Sequence, residues 1–592
     1  MGNAIRDLYN DVKKSYADVL VGKWGLILTP VKGLTLNANI GITDDNTRYN
    51  YLYSVFGSAS GVDGAASVGH SRMFTVNQQY IAEYKFNIGE KNHFDLLAGY
   101  EQYQRKSQVV EGYNDHLFNP FVGEINNADG TESKSVASYT NTYMTEGFLA
   151  RAQYDWDNSV FVSGSFRRDA SSRFAPGHRW GNFGSLGAAW VISRAEWFNA
   201  SFVDLLKLKV SYGVQGNDGL GSNYPYSDQY SHSYDGTNYA LALSYKGNEN
   251  LTWETSKSFN VGVDFELFHN YLNGTLEFFN RDTHDLLYSK NVPLSAGNPT
   301  GQVPVNVGSI RNRGVELTLD GAIIRTKNVQ WNWNVNLSNY KNTILSLDES
   351  VSENGIKGSN FIYKVGGSLY DAYMYKYAGV NEEGQGLYWK HIDEVKDENG
   401  NITTEASDET TTVFSDATRY ELGTTLPKLF GGFGTSLNAY GIDFSIQCSF
   451  QLGGKYYDGN YQQLMWTQAS AGQAWHKDVL NAWTPTNTNT NIPRMDGDTQ
   501  VAQSAVDRFF ISSNYLSINN ITLGYTLPKA WTKKIKIESL RLYVAGENLA
   551  VFAARKGVDP RNTFGLGSFT MDAGSSSYGA MRSITGGVTL TF

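Results

Sequence analysis

The chain has one cysteine, Cys448, and only 12 prolines in 592 residues. A lone thiol excludes an intrachain disulfide framework. Scarce proline leaves long stretches free to pair as strands, because proline removes a ladder donor. No run approaches the ~18–20 apolar residues that a membrane-spanning helix needs, which excludes a helical membrane protein. A net charge of −9 denies the basic footprint that a phosphate-binding surface requires, so nucleic acid is not expected as a partner. Catalytic spacing is missing too. The nine histidines are scattered without an HExxH, and no G-x-S-x-G elbow, P-loop or CxxC occurs. The expectation is a protein that is not an enzyme and carries no cofactor or metal. Met1–Leu20 holds Asp7, Asp11, Lys13, Lys14 and Asp18 without an apolar core, so it does not read as a secretory leader.

Aromatics and glycine are plentiful: 38 Tyr, 30 Phe and 13 Trp make 14% of the chain, with 60 Gly. Mean hydropathy is −0.39. Outer-membrane barrels need aromatic girdles and glycine at turns, and their alternating strands average to mild hydropathy. An aromatic-rich soluble β-protein would share this composition. Residues 5–20 place Ile5, Leu8, Val12 and Leu20 at helical spacing, which predicts a short helix. Period-two strands follow. Leu34, Leu36, Ala38, Ile40 and Ile42 share one face, opposite Thr35, Asn37, Asn39 and Gly41. Trp331, Trp333, Val335 and Leu337 oppose Asn332, Asn334, Asn336 and Ser338, and Val315, Leu317 and Leu319 oppose Glu316, Thr318 and Asp320. Near Ile518–Ile521 the apolar face changes parity, the signature of a β-bulge.

Strands of about 10–14 residues exceed the ~5–6 of globular sheets and suit tilted membrane strands. Connections alternate in size. Tight joins fall near residues 29–33, 89–92, 156–158, 268–271, 325–328 and 439–441. Long segments lie at about 43–71, 108–141, 214–252, 343–428, 454–510 and 551–580. Short turns at one rim and long loops at the other are the outer-membrane asymmetry. The fold class expected is all-β, a transmembrane antiparallel β-barrel over residues 1–592, with about 17 strands. A closed bacterial barrel has an even number with both ends in the periplasm, so early strands are expected to be missing. The chain ends with Ile584, Val588, Leu590 and Phe592 on one face, like the terminal strand that barrel assembly machinery recognises.

Several stretches resemble the SusC/RagA-type branch of TonB-dependent outer-membrane transporters, in family order from about residue 150 to 592. They are Arg167-Arg168-Asp169-Ala170-Ser171-Ser172-Arg173-Phe174 followed by Arg179-Trp180-Gly181, Leu206 through Gly213 with Gly216-Asn217, Asn312-Arg313-Gly314-Val315-Glu316, Pro427 with Gly431-Gly432, and Asn548-Leu549 with Gly557-Val558-Asp559-Pro560. Ala170 stands where the family usually has glycine, and Glu398-Asn399-Gly400-Asn401 stands where an NGDG-type stretch is expected. The resemblance implies a 22-stranded barrel, an N-terminal plug and TonB-contacting segment, a SusD-like lipoprotein lid, and a glycan or peptide cargo. Those upstream parts are not visible in the sequence. The location implied is the outer membrane of a Gram-negative cell, with lipid around the barrel.

Candidate binding residues are few. The loop at 454–510 carries Tyr456, Tyr457, Tyr461, Trp466, Trp475 and Trp483, which as exposed aromatics would stack on sugars or anchor partners, and as loop self-packing would do neither. Glu316 faces the polar side and is expected in an interior hydrogen-bond network. Asp397-Glu398-Asn399-Gly400 resembles the start of a calcium loop but lacks its carboxylate spacing, so a solvated turn is expected there. Arg167 and Arg168 cannot both face lipid cheaply and should lie near a rim, against lipopolysaccharide or a loop carboxylate. A passive porin or adhesin barrel is the alternative reading, and a soluble glycan hydrolase the third. The hydrolase would need paired carboxylates at a cleft, and no pair stands out.

Overall fold

The computed structural model describes residues 4–56, 63–130, 134–234, 236–349, 351–353, 355–358, 360–396, 402–465, 475–495, 505–556, 559–561 and 580–592. A helix covers Ala4–Asn10. Then come β1 (Val12–Val31), β2 (Leu34–Tyr53), β3 (Ala65–Ile88), β4 (Asn92–Asp115), β5 (Ser135–Trp156), β6 (Val160–Ser171), β7 (Trp180–Val191), β8 (Val203–Asn217), β9 (Glu254–Leu267) and β10 (Leu272–His284). The series closes with β11 (Ser309–Arg325), β12 (Val329–Ser346), β13 (Leu429–Ala439), β14 (Ile442–Leu452), β15 (Tyr515–Thr526), β16 (Ser539–Ala553) and β17 (Ser583–Thr591). These form a seventeen-stranded sheet, the number expected from the pattern.

The helix is shorter than expected. Residues from Val12 onward pair with β2, Val12 opposite Leu52 and Leu20 opposite Asp44. Ladder formation overrides a weak local period. The loop placed at 43–71 is also mostly strand, and strands take up both ends of the one placed at 108–141. Asp44, Asn46 and Arg48 continue the β2–β3 ladder opposite Phe74, Arg72 and His70. Outside an apolar band both faces are wet, so hydrophobic alternation fades while backbone pairing continues.

The chain divides into two compact units. The first contains β1 to β7, an antiparallel meander in which each strand pairs with the next. One face carries two aromatic belts. Tyr84, Phe86, Phe94 and Tyr154 form a chain of rings 4.9–5.2 Å apart near the tight turns. Tyr80, Tyr100, Phe148 and Trp180 form another, at 5.2–6.5 Å. Between them lie Ala82, Ala98 and Ala150 in register. Rings set on an apolar face opposite a charged one fit the lipid-facing side of an outer-membrane barrel. The opposite face holds ion pairs: Arg167 reaches Glu101 at 2.8 Å and Asp169 at 2.9 Å, and Arg151 reaches Asp95 at 3.3 Å.

The second unit contains β11 to β17, again paired in sequence order. Leu317 opposes Leu337 and Val335 opposes Phe433, continuing one apolar face. The other face is polar: Asn334 accepts from Gln447 at 3.2 Å and Arg541 holds Asp443 at 2.5–2.9 Å. The bulge expected near Ile518 is present, as register shifts at Gln447/Cys448 and Ile518/Asn520.

Candidate functional site

The largest buried cluster outside the ladder belongs to two connections of the second unit, residues 347–428 and 453–514. Short strands Asp371–Tyr375 and Arg419–Thr424 pair at the base of the first. Gly386–Ile392 pairs with both Tyr377–Val380 and Ser407–Thr411. In the second, Lys455–Tyr457 pairs with Phe510–Ser512 and leads into a helix at Gly459–Leu464. The connections meet through hydrogen bonds: the Tyr375 backbone N–H donates to the Ala505 carbonyl at 2.8 Å, and the Tyr377 backbone N–H to the Asp507 carboxylate at 2.8 Å.

Their joint core contains Ala372, Met374, Tyr388, Tyr457, Tyr461, Met465, Val506 and Phe509. Ring contacts knit it, with Tyr375–Phe414 at 4.5 Å, Tyr388–Phe414 at 4.9 Å and Tyr461–Phe509 at 6.0 Å. Such a core makes each loop a shaped platform, since ordering so many residues without burial would cost ~1–2 kcal/mol each in backbone entropy alone. A buried charge pins a third segment. Asp458, fully buried, caps the helix by accepting from the Tyr461 N–H at 3.0 Å. It also pairs with Arg555, whose guanidinium lies over the Tyr461 ring.

One edge of the platform stays polar. Lys376 lies 5.9 Å from the Trp389 ring and 5.1 Å from the Tyr420 ring. Tyr420 donates to Asp408 at 3.1 Å, and Asp408 meets His391 at 2.7 Å. The His391 hydrogen bond holds the Asp408 carboxyl below its ordinary range, and burial pushes the Tyr420 phenol up to about 12. Beneath, burial raises the Asp507 carboxyl and takes Tyr377 to about 12. Among the described residues no group of three or more His, Cys, Asp or Glu side chains could hold a metal. The arrangement offers flat rings and hydrogen-bonding groups, which suits recognition.

The family described as "TonB dependent receptor-like, beta-barrel" matches residues 9–589. This chain belongs to that family. Among curated relatives, TonB-dependent receptor P3 of Formosa agariphila is 26% identical over 95% of this chain and 57% of its own length. TonB-dependent receptor SusC of Bacteroides thetaiotaomicron is 25% identical over 82% of this chain and 49% of its own. A solved structure of the RagAB peptide transporter superposes with a TM-score of 0.86 at 24% identity, covering 99% of this chain and 63% of that one. The chain thus spans about half to three-fifths of the length of the proteins it matches. TonB-dependent receptor barrels are outer-membrane proteins, and the aromatic rows of β3 to β5 lie on the face opposite the ion pairs.

Within the receptor barrel, the expected site residues separate. Tyr456, Tyr457 and Tyr461 are buried in the loop core, the self-packing outcome weighed beside stacking. Trp475 is 52% exposed. Trp483 is half-buried, its backbone N–H donating to the Ile492 carbonyl at 2.9 Å and its ring against Gly384, a left-handed turn residue. Trp466 and the 397–401 segment lie outside the described residues. Glu316 corrects an expectation: it lies on the polar face opposite Ser338 but is solvent-exposed and makes no hydrogen bond or ion pair among the described residues. The polar face there is water, so the carboxylate needs no protein partner. Arg167 and Arg168 take opposite faces. Arg167 joins Glu101 and Asp169, whereas Arg168 sits 5.2 Å over Trp180 of the aromatic belt. Ile584, Val588 and Leu590 fall in register with the apolar row of Leu542 and Val544, and all three are exposed, as is Phe592. Sequence reasoning missed Lys376, Trp389, His391, Asp408 and Tyr420. The alternation Tyr373, Tyr375, Tyr377 was the available signal for strands in that region.

Proposed function

We propose that this chain forms the barrel of a TonB-dependent importer that takes up oligosaccharides or peptides across the outer membrane. The carrying observation is the paired-loop platform, an ordered aromatic core on the connections of the second unit. A passive pore has no need to build such a structure on its loops. In this reading a SusD-like lipoprotein covers the loops, and TonB acts through parts of the whole protein outside this chain. Trp475, Trp389 and the Lys376–Tyr420–Asp408–His391 edge present rings and polar groups to cargo or lid. Tyr456, Tyr457 and Tyr461 hold the platform's shape, and Trp483 steadies its 381–385 turn. Ile584, Val588, Leu590 and Phe592 serve as the assembly signal. The chain itself performs no bond chemistry.

The test is uptake of labelled oligosaccharides and peptides by cells with the full-length protein, with and without a protonophore. Import should be saturable and abolished by the protonophore. Trp475→Ala should lower it about fivefold, the size of a ~1 kcal/mol contact. Import that is linear in concentration and indifferent to the protonophore would instead establish a passive pore.

A further inference from the structure

The outward face of β12 reads, from its tight turn upward, Trp331, Trp333, Val335, Leu337, Asn339, Lys341. Its partner β11 carries Leu319, Leu317, Val315 and Arg313 in register, so that Arg313 stands directly opposite Lys341. Both side chains are solvent-exposed, on the face whose lower rows are apolar. Like charges directly opposite each other in a ladder destabilise it. Among the described residues neither cation meets a carboxylate.

The contrast with nearby cations is sharp. Arg311, one pair further up, is neutralised by Asp282 through two bonds of 2.6 and 2.7 Å. On the polar face of this unit Arg541 has Asp443, and Lys209 has Asp264 at 2.9 Å. Arg313 and Lys341 stand out as an opposed pair left without an anion.

Position says what supplies it. Ten residues separate Trp331 from Lys341, roughly 33 Å along a strand at ~3.3 Å per residue. At a tilt of ~40° that is about 25 Å, the height of the apolar band of an outer-membrane barrel. The tryptophans lie at the tight-turn end and the cations at the long-loop end, the level of the outer-leaflet head groups. Beside Lys341 a cavity of about 350 Å³ opens along Asn339, Lys428, Ser368 and Asp371. Asn339 donates to the Lys428 carbonyl at 2.5 Å, and Asp371 is occupied by the Ser368 N–H at 2.7 Å. Lys428 is exposed and, among the described residues, adds a third cation without a carboxylate at this rim.

We propose that Arg313 and Lys341 bind a phosphate of an outer-leaflet glycolipid, with its sugar in the Asn339–Lys428 cavity. Guanidinium and ammonium groups form charge-assisted bonds to phosphate oxygens. The phosphate converts a repulsive cross-strand pair into a clamp. The inference rests on the outer-membrane orientation used under Proposed function.

The test uses the full-length protein extracted from outer membranes in mild detergent. Native mass spectrometry counts the phosphorylated glycolipid retained by wild type, by the double variant Arg313→Gln/Lys341→Gln, and by a loop control, Lys364→Gln. Delipidated wild type is then heated with phosphorylated lipid A, its dephosphorylated form, or inorganic phosphate. The expected result is retention by wild type and control, at least a tenfold loss in the double variant, and a rise in unfolding temperature with phosphorylated lipid A alone. Retention unchanged in the double variant overturns the proposal. So does equal protection by inorganic phosphate, which would mark a free-anion site, or by dephosphorylated lipid, which would mark apolar contact. The charge-keeping swap Arg313→Lys/Lys341→Arg should bind like wild type, and with the wild-type lipid series it decides the matter if the neutral variant does not fold. Failure of the membrane reading shows separately, as loss of heat-modifiable gel mobility in wild type.

Discussion

The two units build their extramembrane parts differently. In the first, β1 to β5 run 20–24 residues. In the second, β11 to β17 run 9–18. Spanning the membrane takes about 9–11 residues either way. The first unit spends its surplus on more ladder, wet on both faces and tied by pairs such as Arg72 to Asp44 at 2.8 Å. The second spends its residues on loops with a core of their own, where Met374, Tyr388, Met465 and Phe509 are fully buried. A ladder's strength is distributed, about 0.2–1 kcal/mol per cross-strand pair. A core's strength is concentrated in a few large side chains. The first design gives a stiff wall whose local damage stays local. The second gives a surface that holds or loses its shape as one body, which suits a recognition element.

The sharpest way to break this comparison is Phe509→Ala. Truncating a fully buried Phe costs ~3–5 kcal/mol. The loss should fall on the loop body alone. Hydrogen exchange across residues 360–392 and 455–465 should speed up together, while β12, β13 and β14 keep their protection and the barrel its heat-modifiable mobility. Faster exchange confined to the residues touching Phe509 would show that the loops have no shared core energetics.

The sequence carried the ladder well and the loop body poorly, for one physical reason. In the membrane band each strand meets lipid on one side and water on the other, so alternation is enforced at every residue. Trp331 to Leu337 shows it plainly. Tight turns were equally legible, as at Phe268–Tyr271, where Phe268, His269 and Asn270 all adopt positive φ. Above the band the constraint lapses, and Asp44 to Asn50 reads as loop although it is paired throughout. The loop body depends on contacts over long separations: Tyr375 meets Ala505, and Asp458 meets Arg555. No local period records such pairs. Aromatic content alone could not show that Tyr457 faces inward and Trp475 outward.

Charge within the loop body sharpens the contrast on a smaller scale. Burial holds the Asp507 carboxyl above its ordinary value. The folded loops bind that proton more tightly than unfolded ones, so this contribution is complete below the ordinary carboxylate pKa. It is lost as pH rises through the folded value. Asp408, lowered chiefly by its hydrogen bond to His391, works the other way, stabilising above the ordinary carboxylate pKa and fading as pH falls. Asp507→Asn keeps an oxygen for the Tyr377 N–H and removes only the alkaline penalty. Loop exchange should slow in the variant at pH 7 and match wild type at pH 3. A variant that loosens the loops at pH 7 would mean the carboxylate charge is itself needed.

The smallest effect is expected in the first unit, from Tyr49→Phe. The Tyr49 hydroxyl donates to Glu111 at 2.8 Å across β3, and its ring lies over Gly69, the residue opposite it. Phenylalanine keeps the ring over the glycine and removes one bond, worth ~1 kcal/mol or less where water can replace the lost partner. The backbone ladder on either side has its own hydrogen bonds and does not pass through that hydroxyl. Exchange should therefore change at residues 48–50 and their partners 68–70, if anywhere, and not propagate along β2. Protection lost along the whole wet stretch from Asp44 to Tyr53 would show that the extended ladder is as cooperative as a core. Strand extension and loop packing would then be two forms of one design.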